Sequence, residues 1–104
     1  MAPDPKRLEL QLVFEGMAGV KKAYFQPTSD IKLQYPCVVY NLDDVKTQFA
    51  DNRPYRRDKR YQVTVIDRDP DTDIPDQIGA LPKCSFERSM VVDNLHHYIY
   101  NLYF

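Results

Sequence analysis

The fold is decided by the stretch Tyr61-Gln62-Val63-Thr64-Val65-Ile66-Asp67. Apolar and polar side chains alternate along it, so that Tyr61, Val63 and Val65 point to one face and the polar residues between them to the other. Alternation of this kind suits a sheet with one covered face. The stretch therefore predicts a strand of an antiparallel sheet.

Downstream of this strand, prolines and aspartates predict a loop followed by a short helix. Asp73 has the character of a helix N-cap, and Asp76, three residues later, can complete a capping arrangement. We expect a helix over residues 74–81, because Pro82 forbids its continuation. Its inward-facing residues are Ile74, Ile78 and Leu81.

Two further strands are predicted before the end of the sequence, separated by the turn signal Asp93-Asn94. In the first, Arg88 shares a face with apolar residues, which indicates a twist, an edge or a polar interface. The second runs from His97 to Phe104 and alternates again. The apolar residues predicted on one face of the first strand are Cys84, Phe86, Met90 and Val92.

Upstream, the runs Cys37–Tyr40 and Val45–Phe49 predict two more strands. A first helix is expected to begin at Pro5, with Leu8 and Leu12 forming its apolar stripe, and Gly16 and Gly19 are its stop signals. The order helix, three strands, helix, two strands predicts an α+β fold: an antiparallel sheet of about five strands with two helices packed on one face. We expect one domain over residues 1–104, with an extended lead-in at 1–6.

The composition excludes several classes of protein. The sequence has 104 residues, of which 43% are apolar and 28% charged, and 14 basic against 15 acidic side chains give a net charge of −1. A single folded domain is expected from this length, with no membrane-spanning segment and no general affinity for nucleic acid. The first residues lack the pattern of a secretion signal, so we expect Cys37 and Cys84 to be reduced thiols.

Few residues suggest chemistry. Aspartates alternate from Asp67 to Asp73, but a calcium loop of the EF-hand type needs a glycine and a glutamate at positions where this sequence has neither. His96 and His97 are neighbours on a strand and so point to opposite faces, which disfavours a shared metal ion. No nucleophile elbow or phosphate-binding loop is present. We expect no enzyme activity, no cofactor and no metal site.

The main asymmetry is a basic segment over residues 53–60, and the loop over residues 67–76 supplies the opposite charge in the same chain. It has three interpretations: a surface for a phosphate backbone, a charged hairpin that protects a sheet edge, or a docking surface for the acidic loop of another copy. We favour docking, because the two signs of charge are segregated. The candidate interface residues are Arg53, Tyr55, Arg56, Arg57, Lys59 and Arg60 in the basic segment and Asp69, Asp71 and Asp73 in the loop.

Several segments resemble a small family encoded in the morphogenesis modules of tailed bacteriophages. They include Tyr35-Pro36-Cys37-Val38-Val39-Tyr40, then Ala50-Asp51-Asn52-Arg53-Pro54-Tyr55, the strand at 61–67, and Leu102-Tyr103-Phe104. The resemblance covers about residues 7–104. Proteins of this family are described as tail terminator or tail-completion proteins.

The resemblance implies a ring, commonly a hexamer, that caps the finished tail tube and joins it to the neck beneath the capsid. The implied partners are other copies of the chain, the tail tube protein and head-completion or neck proteins, with DNA only as passing cargo. The implied location is the virion, after assembly in the host cytoplasm. The family has no shared catalytic motif, and the segment at 50–55 with the basic run after it is implied as a lumen or partner surface.

Two alternatives remain open from the sequence. The first is a head-completion or neck protein, which would bind a portal or adaptor rather than the tube. The second is a small nucleic-acid-binding module that uses the basic segment together with Tyr55 and Tyr61. On the docking interpretation, replacing Arg56, Arg57 and Arg60 with glutamate is expected to abolish ring assembly and leave the subunit folded.

Overall fold

The computed structural model describes residues 5–50 and 53–104, and side chains within 5–45 and 59–104. Over these residues it contains two helices and five strands. In chain order they are α1 (Pro5–Glu15), β1 (Lys22–Phe25), β2 (Cys37–Ala50), β3 (Arg53–Asp67), α2 (Ile74–Gly79), β4 (Cys84–Val92) and β5 (Leu95–Tyr103).

The strands form one sheet in the order β1-β2-β3-β5-β4. Every neighbouring pair is antiparallel except β1 and β2, which are parallel. The predicted α+β class is therefore confirmed, and the expectation of an antiparallel sheet is right for all pairs but this one. β1 was not predicted as a strand, because its four residues are too few to display alternation; its pairing with β2 defines it.

The two strands predicted at Cys37–Tyr40 and Val45–Phe49 are parts of one long strand, β2. The polar residues between them resemble a turn, but their pairing with β3 continues through an irregularity between Leu42 and Asp44. A bulge of this kind accommodates an extra residue and bends the strand without ending it. The predicted number of five strands is thus correct, but the strands differ: two predicted strands form β2, and β1 is an additional strand.

The predicted apolar stripe of α1 is wrong. Leu10 and Phe14 are fully buried, whereas Leu8 and Leu12 are 43% and 69% exposed. Apolar residues lie on both sides of this helix, so the sequence is compatible with either side facing the sheet. In the structure the side with Phe14 faces it, and the Phe14 ring meets the Tyr40 ring edge-on, with centroids 5.0 Å apart.

The ends of α1 were predicted more closely than its stripe. The helix ends at Glu15, directly before Gly16, which is the first of the two predicted stop signals. It begins at Pro5, so the lead-in predicted at 1–6 is too long by two residues; the rest of it, including Asp4, lies outside the described residues.

Helix α2 is confirmed with a shorter extent and a different cap. Ile74 and Ile78 are buried as predicted. Asp73 is the N-cap residue but makes no capping hydrogen bond; instead the Ile74 amide donates to Thr72 Oγ1 at 3.3 Å. The helix ends at Gly79 rather than at residue 81.

Both helices pack on the same face of the sheet, as predicted, and the main core lies between them and the central strands. Tyr61, Val63 and Val65 of β3 point into this core, which confirms the alternation from which the fold was predicted. The opposite face carries a smaller buried cluster of Tyr24, Cys37 and Ile66.

Strand β4 does not have the predicted single apolar face. A register shift between Phe86 and Arg88 inverts the alternation, so Phe86 shares the helix-covered face with Tyr100 while Met90 pairs with His97 on the other. β4 is the last strand of the sheet order, which agrees with the edge that Arg88 suggested.

Candidate assembly surfaces

The first candidate surface is a two-stranded ribbon formed by the distal parts of β2 and β3. Pairing of β1 with β2 stops at Tyr40, and pairing of β5 with β3 stops at Arg60, but β2 and β3 stay paired as far as Ala50 and Arg53. The ribbon lengthens the molecule, whose principal extents are 51 × 28 × 23 Å. A projecting element of this kind can reach a neighbouring subunit.

Four of the predicted interface residues lie on the β3 strand of this ribbon. Arg53, Arg56 and Arg57 pair in register with β2, and Tyr55 falls in the register shift between two pairs. The side chains of all four lie outside the described residues. The structure therefore places them on the ribbon by backbone position.

Arg60, at the base of the ribbon, is engaged within its own chain. Its guanidinium donates to Asp43 Oδ2, with nitrogen–oxygen distances of 2.9 Å from Nε and 2.8 Å from the nearest terminal nitrogen. A hydrogen bond with Tyr103 and the charge of Asp43 raise the pKa of Arg60. Arg60 thus connects β2, β3 and β5 within its own subunit.

Lys59, next to Arg60, belongs to a second candidate surface, which we call the lysine groove. It is a cavity of about 390 Å³ whose lining combines apolar residues with three lysines. Main-chain hydrogen bonds close one side, because the amides of Tyr103 and Phe104 donate to the carbonyls of Lys83 and Lys59, each at 3.1 Å. The lining residues are Lys6, Val13, Lys59, Leu81, Pro82, Lys83, Leu102, Tyr103 and Phe104.

Lys6 and Lys83 were not identified from the sequence. Lys6 lies on α1, Lys59 on β3 and Lys83 after α2, so no local run of charge links the three. The Lys6 ammonium lies 5.8 Å from the centre of the Phe104 ring, a cation–π contact.

The third candidate surface is the acidic turn, residues 69–72, in the loop between β3 and α2. Hydrogen bonds inside the loop fix it: the Asp69 amide donates to Asp67 Oδ1 at 3.1 Å, the Asp71 amide to Asp69 Oδ1 at 2.9 Å, and the Thr72 amide to the Asp69 carbonyl at 3.3 Å. Asp67 is buried, whereas Asp69, Asp71 and nearby Asp73 are exposed. The predicted acidic residues are therefore presented to solvent by an ordered turn.

The lysine groove includes Lys59 near the middle of β3, and the acidic turn follows the end of the same strand. Lys59 is eight residues before Asp67 on β3, which corresponds to about 26 Å at the rise of a β-strand. Basic and acidic surfaces are thus held apart in each subunit by rigid secondary structure.

The outer edge of β4 is the fourth candidate surface. Several of its apolar side chains are exposed, among them Phe86 at 57% and Val91 at 61%. In the described part of the chain β4 pairs with β5 alone, so its other edge presents unpaired backbone groups. An exposed apolar edge of this kind is a template for contact with another chain.

The histidines and Tyr61 are the remaining candidate residues from the sequence. Among residues 5–50 and 53–104, no cluster of three or more His, Cys, Asp or Glu side chains is arranged to hold a metal ion. His97 Nδ1 lies 3.1 Å from the Leu95 carbonyl oxygen, a local contact within β5. Tyr61 is only 2% exposed, so it is not available to stack on a base as the nucleic-acid alternative requires.

Both cysteines are free thiols, with Cys37 buried and Cys84 half-buried. Burial, with a smaller contribution from the charge of Asp67, raises the pKa of Cys37 to about 12. Because the thiolate is the reactive form, Cys37 is expected to resist iodoacetamide at pH 8 in the folded protein and to react once the protein is unfolded. Mass spectrometry of the alkylated protein measures this; rapid modification of Cys37 in the folded state would contradict the buried position.

Comparisons of the sequence with protein-family models and with curated proteins, and of the structure with solved structures, give no match. Neither helix in the described part of the chain is long and apolar enough to cross a membrane.

Proposed function

We propose that this chain is a structural subunit of a bacteriophage virion: a tail terminator or tail-completion protein that forms a ring, caps the tail tube and joins it to the head–neck connector. The resemblance of its sequence segments to that family supports the phage context. The arrangement of its surfaces supports self-assembly.

The observation that carries the proposal is the separation of opposite charges along β3. A subunit whose basic surface lies about 26 Å along β3 from its acidic surface cannot pair the two within itself. It can pair them with two neighbours, one at each end. Such a head-to-tail contact is heterologous, and it produces a closed ring when the rotation between subunits returns to the start. A hexamer is the ring size that the resemblance implies.

The ribbon and the edge of β4 are consistent with the same role. A monomer seldom leaves a projecting ribbon and a strand edge with exposed apolar residues uncovered, because these features promote contact with other chains. In a ring both can be covered by adjacent copies or by the tube beneath.

DNA passage sets a further condition on the ring. Several free cations lining the lumen would bind phosphates tightly and in a salt-dependent way, which would hinder passage. Arg60 is engaged with Asp43 and Tyr103, and Lys59 lines the lysine groove. We therefore assign these two residues to protein contacts rather than to a basic lumen.

The proposal predicts that the protein binds the ends of tail tubes. Mixed with the polymerising tail tube protein encoded in the same genome, it is expected to stop elongation and to be found at one end of each tube by electron microscopy. Tubes assembled with serum albumin instead serve as the control. Unchanged tube lengths, with binding to a portal or adaptor complex, would move the protein to the neck.

A further inference from the structure

We propose that neighbouring copies in the ring are joined strand to strand, with the outer edge of β4 in one copy paired antiparallel to the distal part of β2 in the next. We call this distal part, residues 46–50, the ribbon edge. The inference rests on the proposed ring and adds a main-chain contact between its subunits. It follows from which edges of the sheet are open and which are protected.

The outer edge of β4 is long and open. β4 has nine residues, and all those from Ser85 to Val92 are exposed. Its apolar side chains lie on both faces of the sheet, with Phe86 on the helix-covered face and Met90 on the other. A bulge can protect an edge, but the register shift in β4 leaves residues 88–92 in regular pairing with β5. The strand also has no proline and no lysine, the residues that commonly block natural edges.

The ribbon edge is open as well. In the described strand pairing β1 does not reach this part of β2. Just before it, the Leu42 amide donates to Gln26 Oε1 at 3.1 Å, and the Val45 amide donates to Asp44 Oδ1 at 2.9 Å. Over residues 46–50 the described pairing is with β3 alone, and this stretch contains no proline. One side of its backbone is therefore available to another strand.

The two other edges are protected. β1 is only four residues long, and its Ala23 carbonyl accepts a hydrogen bond from Gln11 Nε2 at 2.9 Å. On the β3 side of the ribbon, Pro54 has no amide hydrogen to donate, and Arg56 and Arg57 place like charges on the strand. The open edges are thus β4 and the ribbon edge, which lie on opposite sides of the sheet.

Strand direction makes these two edges complementary. Each step from β2 through β3 and β5 to β4 is antiparallel, so β4 runs opposite to β2 within one subunit. Two copies in similar orientations therefore bring β4 and the ribbon edge together as an antiparallel pair, the more stable arrangement. Each copy offers one edge to each of two neighbours, and such a heterologous contact can close into a ring. Pairing of β4 with β4 would instead stop at two copies.

The charges of the two segments permit this pairing. β4 contains Glu87 next to Arg88, and the ribbon edge begins with Lys46, two residues after Asp44. Both segments carry both signs, so an antiparallel register with Glu87 opposite Lys46 brings unlike charges together. The exposed Glu87 carboxylate has one weak contact in its own subunit, 3.5 Å from Gln62 Nε2. In strand addition of this kind the main-chain hydrogen bonds supply the affinity.

Two variants each block one edge with lysines. The β4 variant is Ser89→Lys with Val91→Lys, both at exposed positions. The ribbon variant is Thr47→Lys with Phe49→Lys. Association is measured by sedimentation velocity and native mass spectrometry at about 50 mM salt, the condition in which the ring is expected.

Leu8→Lys with Leu12→Lys is the matched control. It adds the same two charges at apolar positions that are exposed on α1, away from both edges. The control is expected to assemble like the wild type, which separates blocking of an edge from a general effect of added charge.

Each edge variant alone is expected to associate at least about 100-fold more weakly than the wild type, because several main-chain hydrogen bonds between subunits are lost. An equimolar mixture of the two is expected to form a one-to-one heterodimer and nothing larger. In the mixture the intact β4 of one variant can pair with the intact ribbon edge of the other, while both remaining edges are blocked.

Every other outcome overturns the contact. An edge variant that assembles like the wild type shows that its edge is not an interface, and leaves the proposed ring standing. A ribbon variant that forms dimers by itself shows that β4 pairs with β4. A mixture without heterodimers shows that the two edges meet other partners, such as a strand of the tube. A wild type that stays monomeric excludes the self-contact, and the tail-tube experiment then judges the proposed function separately.

Folding of the variants is checked by circular dichroism and thermal unfolding. If a double substitution unfolds the subunit, the single substitutions Val91→Lys and Thr47→Lys replace it. Each is expected to weaken association by about tenfold, since a single lysine disturbs fewer of the hydrogen bonds, and the mixture should again give the heterodimer.

Discussion

Replacing Phe14 with alanine is expected to lower the free energy of unfolding by about 3–5 kcal/mol, the usual cost of truncating a fully buried phenylalanine. Phe14 and Leu10 are the fully buried residues of α1, and the Phe14 ring lies edge-on to Tyr40. A domain of this size is typically stable by only about 5–15 kcal/mol, so the variant should unfold at a markedly lower urea concentration.

Leu12→Ala is the matched control for this prediction, because it removes an apolar side chain from the exposed face of the same helix. Its effect should stay within about 0.5 kcal/mol. Equal destabilisation by the two variants, measured by urea unfolding, would show that α1 does not pack as described.

Replacing Asp67 with alanine is expected to reduce both stability and self-association. Asp67 is buried and accepts the hydrogen bond from the Asp69 amide that holds the acidic turn. Its loss leaves a donor without its partner, at a cost of about 1–3 kcal/mol. Because the acidic turn then loses its order, self-association should weaken as well.

Asparagine at position 67 separates the role of this residue as a hydrogen-bond acceptor from its negative charge. Asp67→Asn keeps an oxygen acceptor and removes the charge, so it is expected to assemble nearly as the wild type does. If Asp67→Asn loses assembly as completely as Asp67→Ala, the charge rather than the position of the turn is responsible. Sedimentation velocity gives the association, and urea unfolding gives the stability.

The central features of the fold could be predicted from the sequence because they depend on local periodicity. Alternation is regular over residues 61–65, and it placed Tyr61, Val63 and Val65 correctly in the core. The spacing of Ile74 and Ile78 likewise identified the inward face of α2. In both segments only one face has a row of apolar residues, so the sequence indicates which face is directed to the core.

The errors arose where the sequence permits two solutions or shows no pattern. Helix α1 has apolar residues on opposite sides, and only the Tyr40 ring on β2 selects Phe14 and Leu10 over Leu8 and Leu12. Strand β4 contains a register shift that reverses its alternation after Phe86. The periodicity of the sequence indicates neither which side of α1 meets the sheet nor where the register of β4 shifts.

The candidate surfaces could likewise be predicted only where their residues are close together in the sequence. The basic segment at 53–60 was found because its charges are adjacent in sequence. The lysine groove was missed because Lys6, Lys59 and Lys83 come from three separate elements and meet only in the folded chain. The acidic residues, by contrast, belong to a single turn, and their exposure followed from the local sequence.

The ring is best tested by the mass of the wild-type particle, measured by native mass spectrometry at about 50 mM and about 500 mM salt. A head-to-tail ring predicts one discrete multiple of the subunit mass at low salt, with six copies as the implied number, and dissociation towards the monomer at high salt. A monomer at both salt concentrations, or an open-ended series of masses without a dominant closed species, would contradict it.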